Sequence, residues 1–154
     1  MVKNIIFIVS SMIKKFPWVI KKTVMPQHTD HAGVMWHGTY LNWLEESRIY
    51  ALKECGLNYS DLLNNNFELP VYLLNIKYIN PIHINEEIII NSYFESTKSP
   101  KIIINSKFIN KNKIISTKAC VNLVLVSKDN MSIIRRRPDF IENAFKRLCK
   151  GPTN

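Results

Sequence analysis

The chain has 154 residues, of which 46% are hydrophobic and 21% are charged, a balance typical of one soluble globular domain with a sizeable core. Lysine and arginine number 21 and aspartate and glutamate 12, so the net charge is +9. This excess favours an anionic partner: a nucleic acid, a lipid surface or a phosphorylated small molecule. Three scattered cysteines, Cys55, Cys120 and Cys149, argue against a disulfide framework or a zinc site, so the expected location is a reducing cytoplasm.

The first residues contain a short apolar run, residues 5–9, between lysines. The run is much shorter than the ~20 residues of a membrane span, and no small-x-small cleavage site follows it. We therefore expect no membrane span, a loose N-terminal extension over residues 1–16 and a single domain over residues 17–150.

Residues 18–25 are rich in β-forming side chains and end at Pro26, which predicts a first strand. Residues 39–55 predict a long helix, because apolar side chains cover most of its circumference and Gly56 can end it. A short helix is predicted over residues 61–65, with Ser60 as its cap.

Four β-branched runs follow, and turn-rich breaks separate them. The runs are residues 67–79, 87–95, 102–110 and 113–126. Short breaks after the second and third runs predict antiparallel hairpins, and Pro138 suits the first turn of a terminal helix over residues 139–148. One strand, a long helix and then four strands indicate an α+β fold.

The stretch over residues 27–40 carries the clearest chemical signal. It places the carboxylate of Asp30 in a short loop, three residues before Gly33 and directly ahead of the long helix. A helix start has free N–H groups and a positive dipole end, so the amides of residues 37–39 can bind a negatively charged oxygen. The alternative is purely structural, because an Asp before Gly in a loop is also typical of an Asx turn or a cap.

Residues 30–37, followed by Tyr40 and residues 43–48 (Trp-Leu-Glu-Glu-Ser-Arg), resemble the signature of the 4-hydroxybenzoyl-CoA thioesterase family. The resemblance runs from about residue 18 to residue 137. It implies the hotdog fold, a long central helix wrapped by a five-stranded curved antiparallel sheet. It also implies a cytoplasmic acyl-CoA thioesterase that acts on small aromatic or short-to-medium acyl groups. Such an enzyme would form a homodimer or homotetramer with active sites between subunits.

The same resemblance assigns roles to individual residues. Asp30 is the catalytic carboxylate, either as nucleophile or as general base, and the backbone N–H of His37 binds the thioester oxygen. Glu45 is a second catalytic candidate, for which an ion pair with Arg48 is the alternative. Substrate-binding residues are expected near the helix start and at two basic places that grip the phosphates of coenzyme A: Gly33, Trp36, Gly38, Tyr40, Lys98, Lys101, Arg135, Arg136 and Arg137.

Several of these residues also have plainer interpretations. Trp36 and Tyr40, like Tyr72 and Leu74, suit an acyl pocket but would look the same in a core. The three arginines at 135–137 suit a solvated charge run or a nucleic-acid patch. Nucleic-acid binding is disfavoured because the sequence lacks the interleaved aromatic residues of single-strand readers and a helix-turn-helix signature.

A metal site is the last possibility that the motif raises. His28, His31 and His37 cluster in the sequence, but no cysteine or further carboxylate stands at ligand spacing from them. We expect no metal and no separate cofactor, since coenzyme A is part of the substrate. The rival to an enzyme is a non-catalytic hotdog module that binds acyl-CoA or an acyl carrier protein.

Overall fold

The computed structural model describes residues 15–96 and 100–153 of the chain. The N-terminal extension predicted over residues 1–16 lies outside the described residues except at its end, and Lys98 lies outside them too. The strands are β1 (Trp18–Thr23), β2 (Phe67–Glu68), β3 (Val71–Tyr78), β4 (Glu87–Ser96), β5 (Lys101–Asn110), β6 (Ile115–Val124) and β7 (Val126–Ser127). The helices are α1 (His37–Glu54), α2 (Tyr59–Asn64) and α3 (Asp139–Lys150), and a 3₁₀ turn covers Pro26–His28.

Five strands form one antiparallel sheet in the order β1-β4-β5-β6-β3. The α+β prediction with five antiparallel strands is therefore confirmed. Two strand predictions were too long, because the chain leaves the sheet at Leu69 and Pro70 and again at Leu125. The detached pieces, β2 and β7, pair with each other in a separate two-stranded sheet.

The long helix α1 packs on one face of the sheet, here called the inner face, which carries Phe108, Ser92 and Ser106. The indole of Trp43 stacks on the ring of Phe108 in β5, with 6.4 Å between ring centroids and 10° between ring planes. A chain of buried hydroxyls also joins the two layers: Ser47 of α1 contacts Ser92 of β4 at 2.9 Å, and Ser92 contacts Ser106 of β5 at 2.7 Å. These contacts fix the position of α1, and therefore of its first turn, over the strands.

The covering of α1 is incomplete in the single chain. Leu41 and Ile49, two of the apolar side chains around the helix, remain 42% and 43% exposed. The edge strand β3 is also open, since seven of its eight residues are exposed and only Ile76 is half-buried. One side of the domain therefore presents an uncovered apolar edge.

The terminal helix α3 closes the other side. Ile141, Phe145 and Leu148 are fully buried, and the indole N–H of Trp18 in β1 donates a 2.9 Å hydrogen bond to the carbonyl of Leu148. Within the described residues, none of the α-helices combines the length and the apolarity that crossing a membrane requires.

Candidate active site

Asp30 lies in a tight, exposed loop. Its Oδ1 accepts hydrogen bonds from the N–H groups of Ala32 at 2.8 Å and Val34 at 3.3 Å, while its own N–H donates to the carbonyl of Val34 at 2.9 Å. Gly33 has a φ of +73°, a left-handed conformation that glycine adopts without strain. Asp30 thus forms the predicted Asx turn through Oδ1, and Oδ2 takes no part in these two bonds.

The loop is held against the start of α1. Thr29 and Met35 form an isolated antiparallel bridge, and the N–H of Trp36 donates to the carbonyl of His28 at 2.9 Å. The hydroxyl of Thr39 donates to the same carbonyl at 3.0 Å. His28 therefore links the Asp30 loop to the first turn of the helix, a role that no sequence signal indicated because it uses only the backbone oxygen.

Two amides at the helix start have no acceptor among the described residues. The helix begins at His37, two residues earlier than predicted, and the N–H of Thr39 already donates to the carbonyl of Trp36 at 2.9 Å. Within the part of the chain that the structure describes, no acceptor faces the N–H groups of His37 or Gly38. The expected anion-binding amides of residues 37–39 are thus reduced to two, and both lie just after the Asp30 loop.

A cavity of about 380 Å³ opens beside these amides, and His37 and Tyr40 contribute to its wall. Tyr40 is buried, with its ring 5.0 Å from that of Tyr78 and 5.4 Å from that of Phe108. Burial is the main cause that raises the pKa of the Tyr40 hydroxyl, so this group stays a neutral phenol at pH 7. Tyr40 is thus both a core residue and a cavity residue.

Glu45 lies on α1 two turns beyond His37, about 12 Å along the helix axis. Its carboxylate forms an ion pair with Arg48, whose guanidinium is buried and also donates to the carbonyl of Leu69 at 3.2 Å and to the hydroxyl of Tyr59 at 2.9 Å. The ion-pair alternative for Glu45 is what the structure shows. The pair forms the polar side of a groove between α1 and the inner face of the sheet.

That groove has a volume of about 240 Å³ and is otherwise almost entirely apolar. Its wall includes Leu41 and Leu44 of α1, Val71 and Leu74 of β3, Ile104 and Ser106 of β5, and Val121 of β6. Of these wall residues, only Leu74 was predicted from the sequence to suit an acyl pocket. The others were missed because the strand order, not their spacing in the chain, brings them together. Tyr72, the other β3 candidate, does not line it.

The basic candidates lie at the opposite end of the sheet. Lys101 begins β5, and Phe108, which contacts Tyr40, lies seven residues later, about 23 Å away at 3.3 Å per residue. The ammonium of Lys101 lies 5.3 Å from the centre of the Tyr72 ring. Arg135 and Arg136 are exposed. Within one protomer the structure therefore does not bring these cations to Asp30.

Arg137 differs from its two neighbours. Its side chain is only 5% exposed, and Nη1 donates to Ser96 Oγ at 2.7 Å and to the carboxylate of Glu142 at 3.0 Å, while Nη2 donates to the carbonyl of Lys101 at 3.3 Å. Its guanidinium also lies over the Phe145 ring. With its donors so engaged, Arg137 ties α3 to the β4–β5 end of the sheet.

The histidines of the motif do not gather round a common point. Nδ1 of His28 accepts the N–H of Met25 at 3.0 Å, and its ring lies edge-on to Trp43. Among the described residues there is no group of three or more His, Cys, Asp or Glu side chains placed to hold a metal ion.

A family model for the thioesterase-like superfamily matches residues 24–144, most of the chain. The chain belongs to the thioesterase-like superfamily. Its fold is the hotdog fold, and it is an enzyme of the thioester-hydrolase class; at the level of this family the activity is hydrolysis of an acyl-CoA thioester.

Three known proteins resemble the chain over most of its length. A Synechocystis protein provisionally assigned as an esterase is 30% identical over 130 residues, which cover 81% of this chain and 76% of the relative. A Bacillus subtilis protein provisionally assigned as an acyl-CoA thioesterase is 30% identical over 112 residues, 73% of this chain and 81% of the relative. A Staphylococcus aureus protein solved in complex with CoA shares the fold, with a TM-score of 0.81 at 12% identity, over 91% of this chain and 89% of that one.

Proposed function

We propose that the chain hydrolyses an acyl-CoA to a free acid and coenzyme A, with Asp30 as nucleophile or general base. The observation that carries this proposal is the position of the Asp30 loop directly before the two acceptor-free amides of His37 and Gly38. A thioester carbonyl that bound these amides would be polarised, and the negative charge that develops on its oxygen would be stabilised. The carboxylate either attacks the carbonyl carbon or takes a proton from the attacking water.

The acyl group would extend from the helix start along α1. One face of α1 carries His37 in its first turn and then Leu41, Leu44 and Arg48, which line the groove. The groove therefore lies on the helix face that begins at His37, where the carbonyl would bind. Its volume of about 240 Å³ lies below the ~300–1,000 Å³ of most ligand pockets, which suits a small aromatic or a short-to-medium acyl group. Glu45, held by Arg48, would border this group rather than take part in the chemistry.

The phosphates of coenzyme A would be held by cations of a second subunit. Exposed strand edges favour pairing, and β3 is such an edge. Antiparallel pairing of two β3 strands about a two-fold axis places the Val71 end of one strand beside the Tyr78 end of the other. Because Lys101 lies at the Val71 end and Tyr40 at the Tyr78 end, Lys101, Arg135 and Arg136 of the partner would approach this protomer's helix start. We propose a homodimer, or a homotetramer built from it, with shared sites.

The three cysteines are unpaired thiols, which suits a reducing compartment, and we propose that the enzyme works in the cytoplasm.

A panel of acyl-CoA substrates, assayed with a thiol reagent that detects released coenzyme A, tests this proposal. We expect turnover of at least one short-to-medium or small aromatic acyl-CoA, and loss of that turnover in Asp30→Asn. A non-catalytic binding module is the second candidate, favoured by the two bonds that engage Oδ1 of Asp30 in the turn. Saturable binding of acyl-CoA without release of coenzyme A from any substrate would support the module instead.

A further inference from the structure

Gly38, in the first turn of α1, has no room for a side chain. A Cβ at this position would lie 2.6 Å from Cε3 of Trp36 and closer still to Cζ3 and Cη2. These three nearest atoms all belong to the six-membered ring of the Trp36 indole. The φ of Gly38 lies outside the left-handed region, and alanine is a better helix former than glycine, so the backbone does not disfavour a methyl group there and the indole is its nearest obstacle.

The position of the indole matters because of where a helical Cβ points. Cα–Cβ bonds tilt towards the N-terminus of a helix, so a ring in the Cβ space of Gly38 lies beside and ahead of the first turn. The acceptor-free N–H groups of His37 and Gly38 belong to the same turn. The indole also contacts the His37 imidazole, with 4.8 Å between ring centroids, and the indole is about half exposed.

We propose that Trp36 and Gly38 act as one unit. The absence of a side chain on Gly38 leaves space for the Trp36 indole, and the indole shields the N–H groups of His37 and Gly38 from bulk water. Trp36 then acts as a positioning residue for the thioesterase reaction, and this inference rests on the proposed function. An N–H group stabilises a developing negative charge more strongly where water is excluded, so the indole strengthens binding of the oxyanion without contacting the reacting atoms. Gly38 contributes by having no Cβ.

This unit predicts a non-additive pair of substitutions. Trp36→Ala removes the screen, and Gly38→Ala displaces it, so each should lower kcat by about tenfold, less than the ~10²–10³ of a lost oxyanion donor. KM should stay within about twofold, because the charge on the oxygen develops only in the transition state. The double variant should match either single variant, since the screen can be lost only once. Asn42→Ala, one turn further along α1 at an exposed position, is the matched control and should keep the wild-type kcat.

Fluorescence gives a readout that does not depend on turnover. The chain has three tryptophans, of which Trp18 and Trp43 are 5% and 2% exposed while Trp36 is 47% exposed. Acrylamide quenching therefore reports mainly on Trp36, and it should increase in Gly38→Ala but not in Asn42→Ala. Thermal unfolding separates the clash with the indole from the helix propensity of alanine. Gly38→Ala should raise the Tm in the Trp36→Ala background, where no ring opposes the methyl group.

The results for the Trp36 and Gly38 variants test the screening role, and the activity of the wild type tests the proposed function. Equal kcat losses in both single variants and in the double variant, together with increased quenching in Gly38→Ala, support the screening role. A wild-type kcat in Gly38→Ala, or losses that multiply in the double variant, would overturn it. A wild-type enzyme that hydrolyses no thioester would refute the proposed function and the screening role with it. The quenching experiment would then still show whether the missing side chain of Gly38 determines the position of the Trp36 indole.

Discussion

The guanidinium of Arg137 donates a 3.0 Å hydrogen bond to the carboxylate of Glu142, five residues later at the start of α3. The pair anchors the terminal helix to the β4–β5 end of the sheet, where the same guanidinium also binds Ser96 and the carbonyl of Lys101. The exposed Arg135 and Arg136 have a different environment, so the three consecutive arginines should respond differently to substitution.

Arg137→Ala should destabilise the protein by about 2 kcal/mol, because it removes charge-assisted hydrogen bonds from a nearly buried site. Arg136→Ala, the matched surface control, should change the free energy of unfolding by less than ~0.5 kcal/mol. Urea denaturation of both variants measures the difference. Equal and small effects would show that the contacts of the Arg137 guanidinium contribute little to stability.

Combined Arg135→Ala and Arg136→Ala should raise KM for an acyl-CoA by about tenfold or more, since each lost contact to phosphate is charge-assisted. Ground state and transition state share that contact, so kcat should change little. The corresponding acyl-pantetheine, which lacks the nucleotide, is the control substrate and should show almost no change in KM. Similar losses with both substrates would assign these arginines a structural role.

Leu73→Lys should break the β3–β3 pairing. Leu73 is 53% exposed in the single chain, so the protomer should tolerate lysine, whereas two lysines near a two-fold axis repel each other and edge lysines oppose strand pairing. Light scattering at micromolar concentration should give a dimer or tetramer for the wild type and a monomer for the variant. Ile114→Lys, at an equally exposed site in the β5–β6 turn, should leave the assembly intact. A monomeric wild type would contradict the assembly proposal itself.

Three exposed lysines lie side by side on the outer face of the sheet. Lys118 of β6 is directly opposite Lys77 of β3 on one side and Lys107 of β5 on the other. Like charges in this arrangement are destabilising, so Lys118→Glu should raise the free energy of unfolding by about 1 kcal/mol, with Lys118→Gln between the two. The gain should shrink in high salt. Urea denaturation at two salt concentrations tests this, and a destabilising Lys118→Glu would contradict it.

Much of the fold could be predicted because its signals are local. The α1 helix begins two residues earlier than expected and ends one residue earlier, and the hairpin breaks fall near the turns of the structure. The end of β6 could not be predicted in this way, because residues 113–126 have continuous β-forming character and only the pairing of β2 with β7 shows where this run leaves the main sheet. The break between β2 and β3 does have a local signal, since Pro70 has no N–H to donate to a strand ladder.

The candidate site could be predicted where it is contiguous in sequence and not where it depends on tertiary contacts. Asp30, Gly33 and the start of α1 are neighbours along the chain, so the motif predicts their proximity. The buried position of Arg137, the partner of Glu45 and the wall of the acyl groove depend on packing between distant segments. The close contact of Trp36 with Gly38 is local, but a rotamer decides it, and sequence spacing carries no rotamer information.

The catalytic role of Asp30 is tested most directly by single-turnover hydrolysis of the best acyl-CoA substrate by Asp30→Asn. Asparagine keeps an oxygen that can accept the N–H groups of Ala32 and Val34, but it can neither attack a carbonyl nor take a proton from water. If Asp30 is the catalytic carboxylate, the rate should be at least ~10²-fold lower, with an unchanged melting temperature and saturable binding of a non-hydrolysable acyl-CoA analogue. A variant with a lower melting temperature but nearly intact turnover would contradict this role and assign Asp30 to the turn alone.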